Sequence, residues 1–123
     1  MSDSVPHVIG RMLAPLASLV AQEQMILHAT PESFYVPEDL LADAAYAARL
    51  GDSFPEIPAT AQNELARLGM LLRDSPPNLQ ARNFVTADAA WIALRDAAGR
   101  CIAELDFDLT EWEESELESD AER

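Results

Sequence analysis

Apolar residues recur at three- and four-residue intervals along the first part of the chain, which is the spacing of one helix face. The first such run covers residues 6–28, with Ser4 placed to cap it and Pro6 suited to its first turn. Pro15 lies inside this run and cannot donate a hydrogen bond to the carbonyl of Arg11. The pattern therefore predicts a helix that kinks or splits near Pro15.

Two further helices are predicted in the middle of the chain. One covers residues 37–50, begins with Pro37 and stops at Gly51. The other covers residues 61–73, follows Thr60 as a cap and repeats leucine on one face. Ala and Leu total 37 residues whereas Val and Ile total 10, and this balance favours helices over sheet.

Residues 86–109 fit two different structures. As a helix, the segment would be capped by Thr86 and would place Trp91 and Leu94 on one face. As a hairpin, residues 96–100 would form a type I turn with Gly99 in the left-handed conformation. Every second residue from 101 to 109 is apolar, and because this period of two is typical of a strand, the hairpin is favoured. It predicts a positive φ at Gly99 and a marked loss of stability in Gly99→Val.

Acidic residues dominate the end of the chain. Residues 104–123 carry ten acids and a single Arg, a net charge of −9, whereas the other 103 residues have a net charge of −5. The pattern from Thr110 to Glu113 matches a capping box, so a short helix can begin there. We therefore expect a small, mainly α or α+β domain: three helices and a C-terminal hairpin in residues 1–112, followed by an acidic tail or short helix at 113–123.

Composition excludes several classes of function. The chain has 22 Asp and Glu against eight Arg and no Lys, a net charge of −14, which rules out a basic groove for nucleic acid and a polybasic membrane anchor. One Cys and two His are too few for a disulfide framework or a Cys/His zinc cage. No secretory signal or uninterrupted apolar span is present, so we expect a cytoplasmic protein of bacterial or phage origin. We also expect it to bind no metal or cofactor.

A mostly apolar stretch at residues 102–105, interrupted by Glu104, precedes Asp106, Asp108 and Thr110 in a D-x-D-x-T pattern. This pattern resembles the first motif of haloacid-dehalogenase-type phosphatases. The resemblance implies a nucleophile at Asp106, an acid/base at Asp108 and Mg²⁺ between them. The chain departs from the family because only 13 residues follow Thr110, and for the required downstream Lys or Arg it offers no Lys and only Arg123. We therefore interpret the pattern as the end of a strand and expect no enzyme activity.

A tryptophan within the acidic run indicates a binding surface. Trp is enriched at interaction hot spots, and closely spaced carboxylates imitate the charge of a phosphate backbone. We predict a non-catalytic protein that occupies or inhibits a basic, nucleic-acid-binding partner, comparable in size and charge with phage anti-CRISPR and anti-restriction inhibitors. The predicted partner-binding residues are Glu104, Asp106, Asp108, Glu111, Trp112, Glu113, Glu114, Glu116 and Glu118.

Other functions, and purely structural roles for several of these residues, stay open at this point. The protein could be an immunity protein or antitoxin against a basic toxin, or an adaptor that docks through the apolar faces of its helices. Trp112 could instead pack the C-terminal segment onto the core while the acids face water. His7 and His28 are expected to be structural or surface residues, and Cys101 a small buried apolar residue. The partner is expected to be a basic protein, without direct binding of nucleic acid or membrane.

Overall fold

Four long helices form the body of the protein. The computed structural model describes residues 4–121, with side chains described through Leu117. The elements are α1 Val5–Ala17, α2 Leu19–Gln22, a π-helix Glu23–Leu27, α3 Pro37–Leu50, α4 Ala59–Asp74, α5 Phe84–Ala87, α6 Ala89–Glu104 and α7 Leu109–Ala121. Both α1 and α4 contact both α3 and α6, which closes a ring of four helices. The last helix, α7, lies against α1 and α2.

The helices predicted in the first half of the chain are present. The Ser4 hydroxyl accepts a hydrogen bond from the backbone N–H of His7 at 3.3 Å and so caps α1. Helix α3 begins and ends where the sequence predicts it. Helix α4 is longer than predicted, because it starts at Ala59 after Pro58 and has no side-chain cap. Thr60 therefore lies inside α4 and is not its cap.

The first predicted helix is split, but at Ser18 and not at Pro15: α1 continues through Pro15 to Ala17, and the segment forms three elements. The backbone of Ser18 is extended, with φ −98° and ψ 108°, and its hydroxyl accepts from the N–H of Ala21 at 3.0 Å. A π-helix follows, in which the N–H of His28 donates to the carbonyl of Glu23 at 2.9 Å. The carbonyl of Met25 accepts from the N–H of Tyr35, which ties the following loop to the π-helix.

Gln22 is completely buried and satisfies the polar groups that this break exposes. Its Nε2 donates to the carbonyls of Pro15 at 3.1 Å and Leu16 at 2.6 Å, near the end of α1. Its Oε1 accepts from the indole Nε1 of Trp91 at 3.0 Å and from Nη1 of Arg95 at 3.1 Å. A primary amide has two donors and two lone pairs, so every hydrogen-bonding position of Gln22 is used.

Apolar side chains fill the space between the four long helices. Trp91 is fully buried and packs edge-on against Phe84, with ring centroids 4.9 Å apart. Small residues line several of the helix contacts and allow the helices to approach closely; Ala44, Ala47, Ala61, Ala97 and Ala98 are all fully buried. Among the described residues, no buried side-chain nitrogen or oxygen lacks a hydrogen-bond partner.

The predicted C-terminal hairpin is wrong. Residues 89–104 form the continuous helix α6, which is capped by Asp88 through a 2.9 Å bond from the N–H of Trp91. No strand occurs between residues 4 and 121, and the only pairing of that kind is an isolated bridge between Thr30 and Ser33. The mainly α prediction therefore stands, whereas the α+β alternative and the cap at Thr86 do not.

The alternation that suggested a strand crosses three different local structures. Residues 101–104 end α6, Asp106 has a left-handed backbone with φ 58°, and α7 begins at Leu109. Within α6 the buried residues follow the helical spacing instead: Trp91, Leu94, Ala97, Ala98, Cys101 and Ile102. Ile102 is buried and Ala103 is exposed, which is the reverse of the strand register.

Two glycines should respond oppositely to substitution by alanine. A Cβ at Gly99 would have no atom within 4 Å, so Gly99→Ala should stabilise the protein by about 1 kcal/mol through helix propensity. A Cβ at Gly10 would lie 2.5 Å from Cδ2 of Phe107, so Gly10→Ala should destabilise it by about 1–3 kcal/mol. Urea unfolding followed by circular dichroism measures both. Since no described glycine has a positive φ, the marked destabilisation predicted for Gly99→Val is no longer expected.

Replacement of Gln22 should be far more damaging than its isolated position in the sequence suggests. Gln22→Leu keeps a similar volume but leaves the Trp91 indole N–H and the two α1 carbonyls without this partner. Each unsatisfied buried group costs about 1–3 kcal/mol, so the variant should lose several kcal/mol or fail to fold. Gln24→Leu is the matched control, because Gln24 is exposed on the same segment. Equal unfolding midpoints for the two variants would contradict the network.

Candidate functional site

Six exposed carboxylates lie on the last part of the described chain, from the end of α6 through α7. We call them the acidic surface: Glu104, Asp106, Asp108, Glu111, Glu114 and Glu116. The ion pairs seen between described residues hold Glu64 and Asp74, and Arg11 lies beside Asp108, Glu111 and Glu116. Six of the nine residues predicted from the sequence belong to the acidic surface. Asp108, Glu111 and Glu116 line one hollow, whereas Glu114 lines another.

The turn between α6 and α7 places two of these carboxylates. The N–H of Phe107 donates to the carbonyl of Ile102 and that of Asp106 to the carbonyl of Ala103, each at 3.2 Å. With Asp106 left-handed, this is a Schellman motif that ends α6. Asp108 then accepts from the N–H of Glu111 at 3.0 Å and caps α7. Asp108 is therefore the cap in place of Thr110.

The D-x-D pattern thus marks a turn between two helices. Asp106 ends one helix and Asp108 begins the next, so the strand end predicted for these residues is wrong. The resemblance to the phosphatase motif loses its structural basis, because that motif follows a strand. In the part of the chain that the structure describes, no three His, Cys, Asp or Glu side chains are grouped so that they could hold a metal ion.

Three other residues attach α7 to the body of the protein. Ser18 is buried, and its hydroxyl donates to Oε2 of Glu113; a hydrogen bond to a charged oxygen is stronger than one between neutral groups. Leu117 is buried, and Trp112 is half-buried against the hydrophobic core. Glu113 and Trp112 were predicted to contact a partner, and both make contacts within the protein. Glu118 belongs to α7, but its side chain lies outside the described ones.

Sequence reasoning missed the residues of α1 that position this surface. Gly10 is buried, and only a residue without a Cβ lets the Phe107 ring approach α1 so closely. The His7 and Phe107 rings also lie together, with centroids 5.2 Å apart. The sequence offered one indication, a single glycine on the apolar face of the first predicted helix. It could not be interpreted without knowing which residue packs against that glycine.

The remaining candidate nucleophile is inert. Cys101 is completely buried, and this burial, assisted by the negative charge of Glu64, raises the pKa of its thiol to about 12. Its reactive thiolate is therefore scarcely formed at neutral pH, in agreement with the predicted structural role. His28 is exposed at the end of the π-helix. No helix among the described residues is long and apolar enough to cross a membrane.

Comparison with known proteins does not assign the chain to a family. The chain matches no protein-family model, and no curated protein or solved structure is significantly similar to it. The chemistry of its own surfaces therefore carries the functional argument. That chemistry is a set of carboxylates on a helix and turn, which suits the binding of cationic groups.

The contact between Ser18 and Glu113 should control how firmly α7 is attached. Glu113→Gln removes the charge that strengthens this hydrogen bond, and bonds to charged groups are worth about 1.5–3 kcal/mol. We expect amide hydrogen exchange in α7 to accelerate by about tenfold or more, with α3 and α4 unchanged. Glu114→Gln, an exposed neighbour, is the control and should leave α7 protection intact. Equal exchange rates in both variants would show that the contact does not hold α7.

Proposed function

We propose that this chain is a non-catalytic binding protein whose acidic surface occupies the positive surface of a nucleic-acid-binding partner and so inhibits it. The observation that carries the proposal is the placement of exposed carboxylates on an ordered turn and helix attached to the core. A charged tail would have to be ordered on binding, whereas a surface held in place before binding avoids most of that entropic cost.

The spacing of the charges supports mimicry of a nucleic acid. From Glu111 to Glu116 the helix axis rises about 7.5 Å, so the three exposed carboxylates are on average about 3.8 Å apart along the axis. Glu111 and Glu116 line one hollow, and Glu114 lines another on a different side of α7. A single strand of DNA carries one phosphate per about 3.4 Å of helix axis. A partner groove that surrounds α7 and binds phosphates at about this axial density could therefore accept the helix in their place.

An immunity protein or antitoxin would use the same surface against a basic toxin. The geometry of α7 supports this second candidate equally, since a toxin active site that binds nucleic acid has the same charge. The two candidates differ in the partner's identity. If the partner becomes toxic to cells that carry an α7 variant of this protein, the antitoxin function is supported.

A different face of the protein, between α3 and α4, supports the adaptor alternative. Helices α3 and α4 line an open groove of about 420 Å³, and the small residues Ala48 and Gly69 are part of its lining. Met70, which also lines it, is 55% exposed, and Tyr46 on α3 is 51% exposed beneath the Arg49 guanidinium. An adaptor would bind through this groove and would be insensitive to the charges of α7.

Removal of three charges from α7 tests the proposal. The triple variant Glu111→Gln, Glu114→Gln, Glu116→Gln spares Glu113, which holds the helix in place. The control variant Glu32→Gln, Asp43→Asn, Glu56→Gln removes three exposed charges that lie outside α7 and do not line the groove between α3 and α4, so both variants have the same net charge. The partner, identified by affinity capture and purified, should associate at least tenfold more slowly with the α7 variant than with the control.

Salt dependence and competition complete the test. Between about 0.1 and 1 M salt the screening length falls from about 10 to about 3 Å, so association with the unaltered protein should slow steeply over that range. The partner's nucleic acid should be displaced by this protein. A partner that binds both at once with independent affinities contradicts mimicry, and equal binding of the two variants favours the adaptor.

A further inference from the structure

A small hollow between α1 and α7 combines aromatic and acidic side chains. It has a volume of about 220 Å³ and lies beside the turn that begins α7. Three rings line it, those of His7, Phe107 and Trp112, together with the carboxylates of Asp108, Glu111 and Glu116. Six of its lining side chains thus belong to the two classes that attract organic cations.

Each class contributes a different part of the attraction. The face of an aromatic ring carries partial negative charge and attracts a cation within about 6 Å of its centroid, with Trp the strongest. Carboxylates add Coulomb attraction, which is stronger near a protein surface than in bulk water. Phe107 and Trp112 are half-buried, so the rings partly shield a bound cation from solvent.

The charge balance of the hollow favours a cation. Arg11 also lines it, so its ionic lining consists of three carboxylates and one guanidinium, a net charge of −2 with His7 neutral. Its volume is below the range of about 300–1,000 Å³ that is usual for drug-sized ligands. The hollow therefore suits a single cationic head group.

We propose that this hollow binds one alkylammonium or guanidinium group. That group can be the end of a Lys, methylated Lys or Arg side chain of a partner protein, or a free quaternary ammonium compound. In the first case the inference rests on the proposed function and identifies where one cationic anchor of the partner enters. In the second case the hollow is an independent ligand site.

The test uses small cations and requires no partner. The protein is titrated with Nα-acetyl-Nε-trimethyl-lysine methylamide, and the indole N–H signals of its two tryptophans are followed by NMR. The Trp112 signal should shift with saturation, whereas that of Trp91, which is fully buried and bonded to Gln22, should not. A neutral analogue with carbon in place of the quaternary nitrogen should bind at least tenfold more weakly.

Two single-charge variants locate the site. Glu111→Gln, which removes a lining charge, should weaken binding of the trimethyl-lysine probe several-fold. Glu114→Gln is the matched control, because Glu114 is equally exposed on α7 but lines a different hollow, beside Val20. Arg11→Gln removes the competing cation and should tighten binding, with circular dichroism used to confirm an unchanged fold.

A second pair of probes distinguishes between the two possible sources of the cation. A lysine-containing peptide that binds at least tenfold more tightly than choline supports a partner's side chain, and the reverse order supports a free quaternary ammonium compound. The inference is overturned if Trp112 does not respond, if the neutral analogue binds equally well, or if Glu114→Gln weakens binding as much as Glu111→Gln. Such a failure leaves the partner competition experiment unaffected, because that experiment depends on the whole acidic surface.

Discussion

The break after α1 leaves two carbonyl groups inside the protein, and a single side chain compensates for them. Gln22 donates to both carbonyls and accepts from Trp91 and Arg95 on α6. Nη1 of Arg95 also donates to the carbonyl of Val85 at 2.8 Å, which adds α5 to the same network. Because unpaired polar groups are costly in a low-dielectric interior, this amide links the packing of α1, α5 and α6.

The position of the acidic surface follows from the same break. The extended backbone at Ser18 directs the chain into α2 while its hydroxyl bonds Glu113 on α7. Near the middle of α1, Gly10 leaves room for Phe107, in the turn before α7. Helix α7 is therefore held at Ser18, just after α1, and its preceding turn is held against α1, while the exposed carboxylates face outward. The result is a charged surface with a fixed shape, which a disordered acidic tail would lack.

The two sides of α7 have different chemistry. Towards α2, the hollow beside Val20 is lined by Glu113, Glu114 and the buried Leu117, so this side mainly attaches the helix. Towards the beginning of α1, aromatic rings and carboxylates surround the hollow proposed to bind a cation. An acidic run that looks uniform in the sequence is thus divided by the helix into residues that attach, residues that face solvent and residues that line a hollow.

The sequence by itself determined the mainly helical composition, the bounds of α3, the splitting of the first predicted helix and the concentration of negative charge after residue 103. These features depend on local propensity, on the missing N–H of proline and on composition, all of which act within a few residues. Only the tertiary structure decided that residues 89–104 are a helix, because a short apolar alternation is compatible with either period until burial selects one face. The roles of Gln22, Gly10 and the hollow beside Trp112 were likewise decided there, since each depends on partners 69 to 109 residues away along the chain.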